Sequence, residues 1–346
     1  MRPPCRETFL PSLLLLCLPA RLLAQNDDAA LIARVQQAAL QTALDTDTAK
    51  PFHLKLAVHL DAQHGRPAED GTAELWWSSP ASHRTAYDFP TYKTTFLDTP
   101  DGHFESPDAR PVPYLIEYTL DHILHPISPH SFAESQNPVF QKRSFGKVNL
   151  ECIALTPLPK NPRIVAAPIT YCFDPGTTTL RIDFDLAGQD SVRQVLGSFR
   201  GISVPIKFDY SFTGKPVAHA DVEKLSGQAL PYSETADTVG LRAVPAAATH
   251  IAATVLAGSI IAKATPIYPY WAKQNHISGS VLLHAIIGTD GRIKNLELIG
   301  SPDESLTDAA MTAVRNWIYK PYLLDGAPTE VDSTITVNFN FGPAPR

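Results

Sequence analysis

His122, His125 and His130 are the closest group of metal-capable side chains, and the first two are three apart, which places them on one face of a helix. Zinc sites need three or four ligands at recognisable spacing, and no metalloprotease pattern surrounds this group, so the sequence predicts a solvated helix end. Asp183 and Asp185 are a candidate carboxylate pair for acid–base work. They alternate with Ile182, Phe184 and Leu186 and so read as the solvated face of a strand. Nucleophilic catalysis needs a serine or cysteine beside a base, which some folds announce with Gly-Xaa-Ser-Xaa-Gly. Neither that motif nor a glycine-rich phosphate loop occurs, so no enzyme activity and no cofactor are expected. His284 shares a strand face with Leu282 and Ile286 and is expected to be packed or half-exposed. Trp76 and Trp77 are neighbours on a strand, so one should enter the core and the other should face solvent or a concave surface.

The elements that position these residues are clearest in the last quarter of the chain. From Ser280 to Gly288, Val281, Leu283, Ala285 and Ile287 alternate with Ser280, Leu282, His284 and Ile286, the period of a strand. Asp290-Gly291 predicts a two-residue hairpin turn with positive φ at both positions, returning the chain as a second strand from Arg292 to Ile299. Ser305 and Asp308 form a capping-box-like start. Leu306, Ala310, Ala313, Val314, Trp317 and Ile318 follow at helical spacing, with Pro321 as the stop. After Asp325-Gly326-Ala327-Pro328, Val331 to Phe341 alternates cleanly, with one face for a core and one for water. Two strands, a helix and a returning strand predict a small three-stranded antiparallel sheet with one covering helix, the last strand at an edge.

Tyr268-Pro269, Ala272, Gly279, Val281, Asp290-Gly291-Arg292-Ile293, the Leu306 to Trp317 helix with Tyr319-Lys320-Pro321, Gly326 with Pro328, and Val337-Asn338-Phe339 resemble the TonB C-terminal domain family. The resemblance covers about residues 255–341 and implies a partner in an outer-membrane receptor segment. Force-transmitting members also carry an N-terminal membrane helix and a long charged, Pro-rich spacer, to which nothing in this sequence corresponds. The edge strand Val331, Asp332, Ser333, Thr334, Ile335, Thr336, Val337, Asn338 and Phe339 is the candidate peptide-binding element, recruiting an extended segment through main-chain hydrogen bonds.

The rest of the chain sets the context. A net charge of −6 and scattered Lys and Arg provide no basic field for nucleic acid. Arg2 and Arg6, the apolar run Phe9 to Leu18 and the close of that run at Ala24 have the layout of a signal peptide over residues 1–24. Export to the periplasm is therefore expected, with no retained transmembrane anchor. Cys152 and Cys172 would remain, and in an oxidising compartment they are expected to form a disulfide. Residues 27–225 read as a mainly antiparallel β domain with helices, a half-barrel or a sandwich, with a helix over Asp28 to Thr42 and another over Pro113 to Leu124. The run from Gly71 to Trp77 with Arg84 and Tyr87 is similar to the lipoprotein-carrier (LolA-like) half-barrels. Residues 226–253 read as a linker and 254–346 as the TonB-like domain, an α+β architecture overall.

Two functions follow. The first is a periplasmic binding module for an outer-membrane receptor or another envelope protein. The second is a carrier of lipid or lipoprotein acyl chains with the C-terminal domain as its docking module. A deep apolar concavity in the first domain favours the carrier, and a filled core favours the binding module.

Overall fold

The computed structural model describes residues 20–63, 65–127, 135–157, 168–227, 237–244, 249–250, 259–324 and 326–340. Residues 1–19 of the expected leader, His130, Phe341 and most of the expected linker lie outside them. Helix α1 (Ala20–Thr42) begins inside the expected leader. Then come β1 (Phe52–Leu60), β2 (Glu69–Ser79), β3 (Ser82–Asp88), β4 (Lys93–Thr99), β5 (Gly102–Glu105) and α2 (Tyr114–Leu124). β6 (Ser135–Phe145), β7 (Val148–Pro157), β8 (Ile169–Phe173), β9 (Leu180–Asp185), β10 (Gln189–Phe199), β11 (Ile202–Phe212), β12 (Lys215–Ser226) and β13 (Arg242–Val244) complete the first unit.

These strands make one open sheet in the order β13-β5-β4-β3-β2-β1-β12-β11-β10-β9-β8-β7-β6. A single sheet removes the sandwich alternative. Each neighbour is antiparallel, and the two meanders meet where β1 pairs with β12. On β1, Leu54, Leu56, Val58 and Leu60 point into the main core, where Leu115, Ile116, Leu120, Ile123 and Leu124 of α2 fill the space over the sheet. α1 covers the other arm, with Val35, Ala38 and Ala39 against Ile153, Leu155, Tyr171 and Phe173. Trp77 joins the core, while Trp76 faces the other way and stacks on His53 at 5.1 Å. Cys152 and Cys172 lie directly opposite each other on β7 and β8 and are joined.

The second unit contains β14 (Thr249–His250), β15 (Ile260–Ala262), α3 (Tyr270–Gln274), β16 (Gly279–Ile287), β17 (Ile293–Gly300), α4 (Glu304–Val314), β18 (Ile318–Tyr319), β19 (Leu323–Leu324), β20 (Ala327–Pro328) and β21 (Val331–Phe339). Its main sheet has the order β14-β21-β16-β17. Val281, Leu283, Ala285 and Ile287 meet Leu306, Ala310 and Val314 of α4 together with Val331, Ile335, Val337 and Phe339.

Several local expectations are corrected. The hairpin turn is wider than two residues: Gly291 N–H donates to Gly288 O, and Gly291 is in positive φ (+78°) whereas Asp290 is not. This is the pattern of a type I turn closed by a left-handed glycine. The helix cap is Asp303, whose carboxylate accepts from Ser305 N–H, so Ser305 lies inside the helix. α4 stops at Val314, well before Pro321, because Ile318 and Tyr319 pair with β15 instead. Trp317 is still core, its indole N–H donating to Ala264 O. The expected linker also carries structure: β13 pairs with β5 of the large sheet, and β14 pairs in parallel with the start of β21.

Gly291 has a second constraint, since a Cβ there would lie 1.9 Å from Tyr319 O. Gly291→Ala is expected to lower unfolding free energy by roughly 2–4 kcal/mol, from positive-φ strain plus the clash. Gly326, at φ +84° in open space, is the control, and its alanine variant should cost about 1 kcal/mol, from φ alone. Urea unfolding of both variants is the measurement.

Candidate functional site

The water-facing side expected for the C-terminal sheet is dry over much of its area, because the first unit packs on it. Leu282 and Ile299 belong to the main core of the large sheet. A Cβ on Gly300 would lie 2.2 Å from Phe212 Cγ, so glycine permits the close approach of β17 and β11. Polar contacts hold the seam: Tyr114 N–H donates to Glu297 Oε2 at 3.0 Å, Gln63 Nε2 to Ile299 O at 3.3 Å and Lys215 Nζ to Pro302 O at 3.0 Å. His284 is buried here, its ring 4.8 Å from that of Tyr114 and its Nε2 3.0 Å from Asp332 Oδ2.

Moving outward across the sheet, from β17 through β16 to β21, this contact opens into a cleft of about 500 Å³. One wall is α2, through Tyr114, Glu117, Tyr118, Asp121, His122 and His125. The first five positions are spaced i, i+3, i+4, i+7 and i+8, one continuous stripe of the helix, and His125 follows at its C-terminal cap. A second wall is Asp183 to Asp185 with Tyr171, and the third is Asp332 and Thr334 of β21. No lysine or arginine lines the cleft among its described residues.

Burial decides the state of the groups around it. His122 stacks on Tyr118 with centroids 3.7 Å apart, and its Nδ1–H donates to Tyr118 O. Burial, aided by the Arg193 charge, pushes its pKa down to about 3, so it is neutral at ordinary pH. This corrects the solvated helix end. His125 is the opposite case: burial acts against its cation, but hydrogen bonding to Asp45 and the charges of Asp121 and Asp45 outweigh it and raise the pKa. Asp183 is also corrected, from solvated to buried, and it pairs with Arg193 Nη1 at 2.6 Å. Burial raises its pKa, against the Arg193 charge. Asp185 accepts from the N–H groups of Gly188 and Gln189 at the following turn. Among the described residues no group of three or more His, Cys, Asp or Glu is placed to hold a metal ion.

The strand proposed from sequence for peptide binding is paired with β16 at every position from Val331 to Phe339. Val331, Ser333, Ile335, Val337 and Phe339 are buried, whereas Thr336 and Asn338 are exposed. On its outer side β14 pairs only with Val331 and Asp332, so the edge is not free over its whole length. From Ser333 to Phe339 no strand among the described residues pairs with that side. β21, His122 and Asp183 stand out in the sequence and the cleft does not, although its α2 wall is written in the spacing of Tyr114 to His122.

Five carboxylates, Glu117, Asp121, Asp183, Asp185 and Asp332, and three tyrosines, Tyr114, Tyr118 and Tyr171, line the cleft and suit it to holding a ligand by polar contacts and aromatic faces. Among the described residues no helix is long and apolar enough to cross a membrane.

The pKa of His122 sets a pH dependence. Between about 6.5 and 3 the unfolded chain binds a proton at this position and the folded chain does not, so stability falls as pH is lowered through that window. His122→Phe is expected to lose less melting temperature than the parent between pH 7 and pH 4.5, as read by thermal circular dichroism.

Comparison with known proteins agrees with the C-terminal reading. Protein TonB of Vibrio cholerae serotype O1 is 31% identical over 81 residues, which are 23% of this chain and 33% of that protein. The chain thus spans about a third of the length of that relative. Among solved structures, a LolA superfamily protein from Nitrosomonas europaea aligns over 57% of this chain and 94% of its own, at 9% identity and a TM-score of 0.37. A DUF1329 family protein from Desulfovibrio piger aligns over 57% and 90%, at 9% identity and a TM-score of 0.34. Residues 264–341, from the segment before α3 through β21, match the family described as Gram-negative bacterial TonB protein C-terminal.

Proposed function

We propose that this chain is a periplasmic binding module of the cell envelope, acting in transport, and that β21 captures an extended segment of an outer-membrane receptor or another envelope protein by strand addition. The observation that carries this is that no strand among the described residues pairs with the outer side of Ser333 to Phe339, while the inner side is fully paired and the core-facing side chains are locked. An edge of this kind offers a row of backbone donors and acceptors to a visiting strand. The match of residues 264–341 to the TonB C-terminal family supports the same reading. So does the first unit, where the apolar side of α2 packs in the core over the large sheet.

Capture through backbone groups should tolerate Asn338→Ala, an exposed side chain, and should not tolerate loss of an outward N–H. Ser333→Pro stands for one set of alternating N–H groups, and Thr334→Pro and Thr336→Pro for the other. In the set directed outward, proline should leave the fold intact by circular dichroism and weaken binding of synthetic receptor segments by roughly tenfold or more. Folded proline variants of both sets binding as the parent does would rule out strand addition here.

A further inference from the structure

Among the described residues, the second unit carries its most exposed large apolar side chains in one short stretch. Ile261 is 67% exposed, Ile267 84%, Tyr270 77% and Trp271 62%. Local structure sets their direction. Tyr268 turns inward, its hydroxyl donating to Ile277 O and its ring edge-on to that of Phe339, while its neighbour Ile267 stays outside. α3 buries Ala272 alone, so Tyr270 and Trp271 lie on its outward side.

Lysines frame this stretch. Lys263 Nζ stands 4.7 Å from the centre of the Trp317 ring and Lys273 Nζ 5.7 Å from that of Tyr268. Lys320 lies beside the start of β15, its backbone N–H donating to Ser259 O. All three are exposed, and among the described residues no carboxylate pairs with any of them. The sequence has no aspartate or glutamate between Asp237 and Asp290, in a chain whose net charge is −6. α4 touches α3 and carries Glu304 and Asp308, with Asp303 at its N-cap and Arg315 at its C-cap. Glu304, Asp308 and His276, which follows α3, each have interactions of their own within the chain, and Asp303 accepts from Ser305 N–H. Lys263, Lys273, Lys320 and Arg315 thus exceed the carboxylates here, the reverse of the whole molecule. An anionic surface repels a chain of this net charge in most orientations and attracts it in the one that leads with the acid-free stretch.

Composition selects the kind of anionic surface. Tryptophan and tyrosine beside an aliphatic residue, between lysines, suit a membrane interface: the rings settle at headgroup level, and the lysine stems lie along apolar surface while their ammonium groups stay in water. We propose that Ile261 to Lys273 is a lipid-contact surface that seats the C-terminal unit on an anionic phospholipid bilayer. Ile267, Tyr270 and Trp271 enter the interface, and Lys263, Lys273 and Lys320 meet the headgroup phosphates. The contact is peripheral, since among the described residues no helix is long and apolar enough to cross a membrane.

The test is co-sedimentation of the full chain with vesicles of phosphatidylcholine alone, or of phosphatidylcholine and phosphatidylglycerol in equal parts, at low and high salt. The parent is expected to bind the mixed vesicles roughly tenfold or more tightly at low salt, with the gap narrowing at high salt. Lys263→Gln with Lys273→Gln should weaken that binding by roughly fivefold for each lysine. Tyr270→Ser with Trp271→Ser should weaken it at both salt concentrations, because burial of the rings is not screened. Lys142→Gln with Arg143→Gln removes exposed cations of β6, on the strand where Val139 and Phe140 are also exposed, and should change nothing. Circular dichroism confirms that each variant folds. Equal binding to the two vesicles, no binding to either, or a loss that follows the β6 variant instead of the others overturns the proposal. Mixed-vesicle binding indifferent to Tyr270 and Trp271 would be attraction by charge alone, which also overturns it. Soluble polyglutamate bound by the parent as tightly as the mixed vesicles would mark the partner as an acidic protein, with the same consequence.

Discussion

The structure depends on the burial of one strand from both sides. β16 has α4 and its core on one face and the first unit on the other, so Leu282, His284 and Ile286 are as dry as Val281, Leu283 and Ala285. A strand in this position reads as a near-continuous apolar run rather than a clean alternation. Within its buried run, Val281 to Ile287, the polar interruption is His284, whose Nε2 lies 3.0 Å from the Asp332 carboxylate on the neighbouring strand. Because β16 is fixed from both sides, β21 is fixed relative to α2, and the cleft between them has a defined shape.

α2 serves both units with different faces. Its apolar side fills the core over the large sheet, and its polar stripe looks toward β21. Such a division is efficient in an eleven-residue helix, since the same packing that buries Leu120 and Ile123 sets the direction of Glu117 and Asp121. The buried pair Asp183–Arg193 lies beneath this arrangement, and Ser191 adjoins it by hydrogen bonding to Tyr118. Removing one charge of such a pair strands the other in a poorly solvating interior, so the pair fixes the position of β9 against β10 rather than contributing much net attraction.

Local pattern was enough to read most of the elements. β1 and α2 follow directly from the alternation Phe52 to Leu60 and the helical spacing after Pro113. β6 is hard to recognise in the sequence because Gln141, Lys142 and Arg143 interrupt its alternation on an end strand where even Val139 and Phe140 are exposed. The burial of Asp183 is not legible in its own strand because its partner Arg193 is on the next one, and spacing along one strand does not reveal a cross-strand charge. The same limit explains the cleft: its walls come from α2, β9 and β21, and only the α2 wall is periodic in the sequence. The double burial of β16 was visible in Leu282 and Ile286, which are unusual on a face meant for water.

The order of the large sheet has a kinetic side. Its two arms meet only through β1 and β12, where His53 lies opposite Ser226 and Leu60 opposite Ala218, so almost the whole first unit separates the paired residues. Contacts this distant in sequence form slowly, because loop closure is completed before the pairing repays it. The hairpin of β16 and β17 is local and can form early, but its outer face has nothing to dock on until β11 and β12 are in place beside α2. A chain threaded through a membrane from its N-terminus would hold β1 without its β12 partner until residue 226 had emerged, an interval in which that apolar strand invites mispairing and in which a holding chaperone would have most to do.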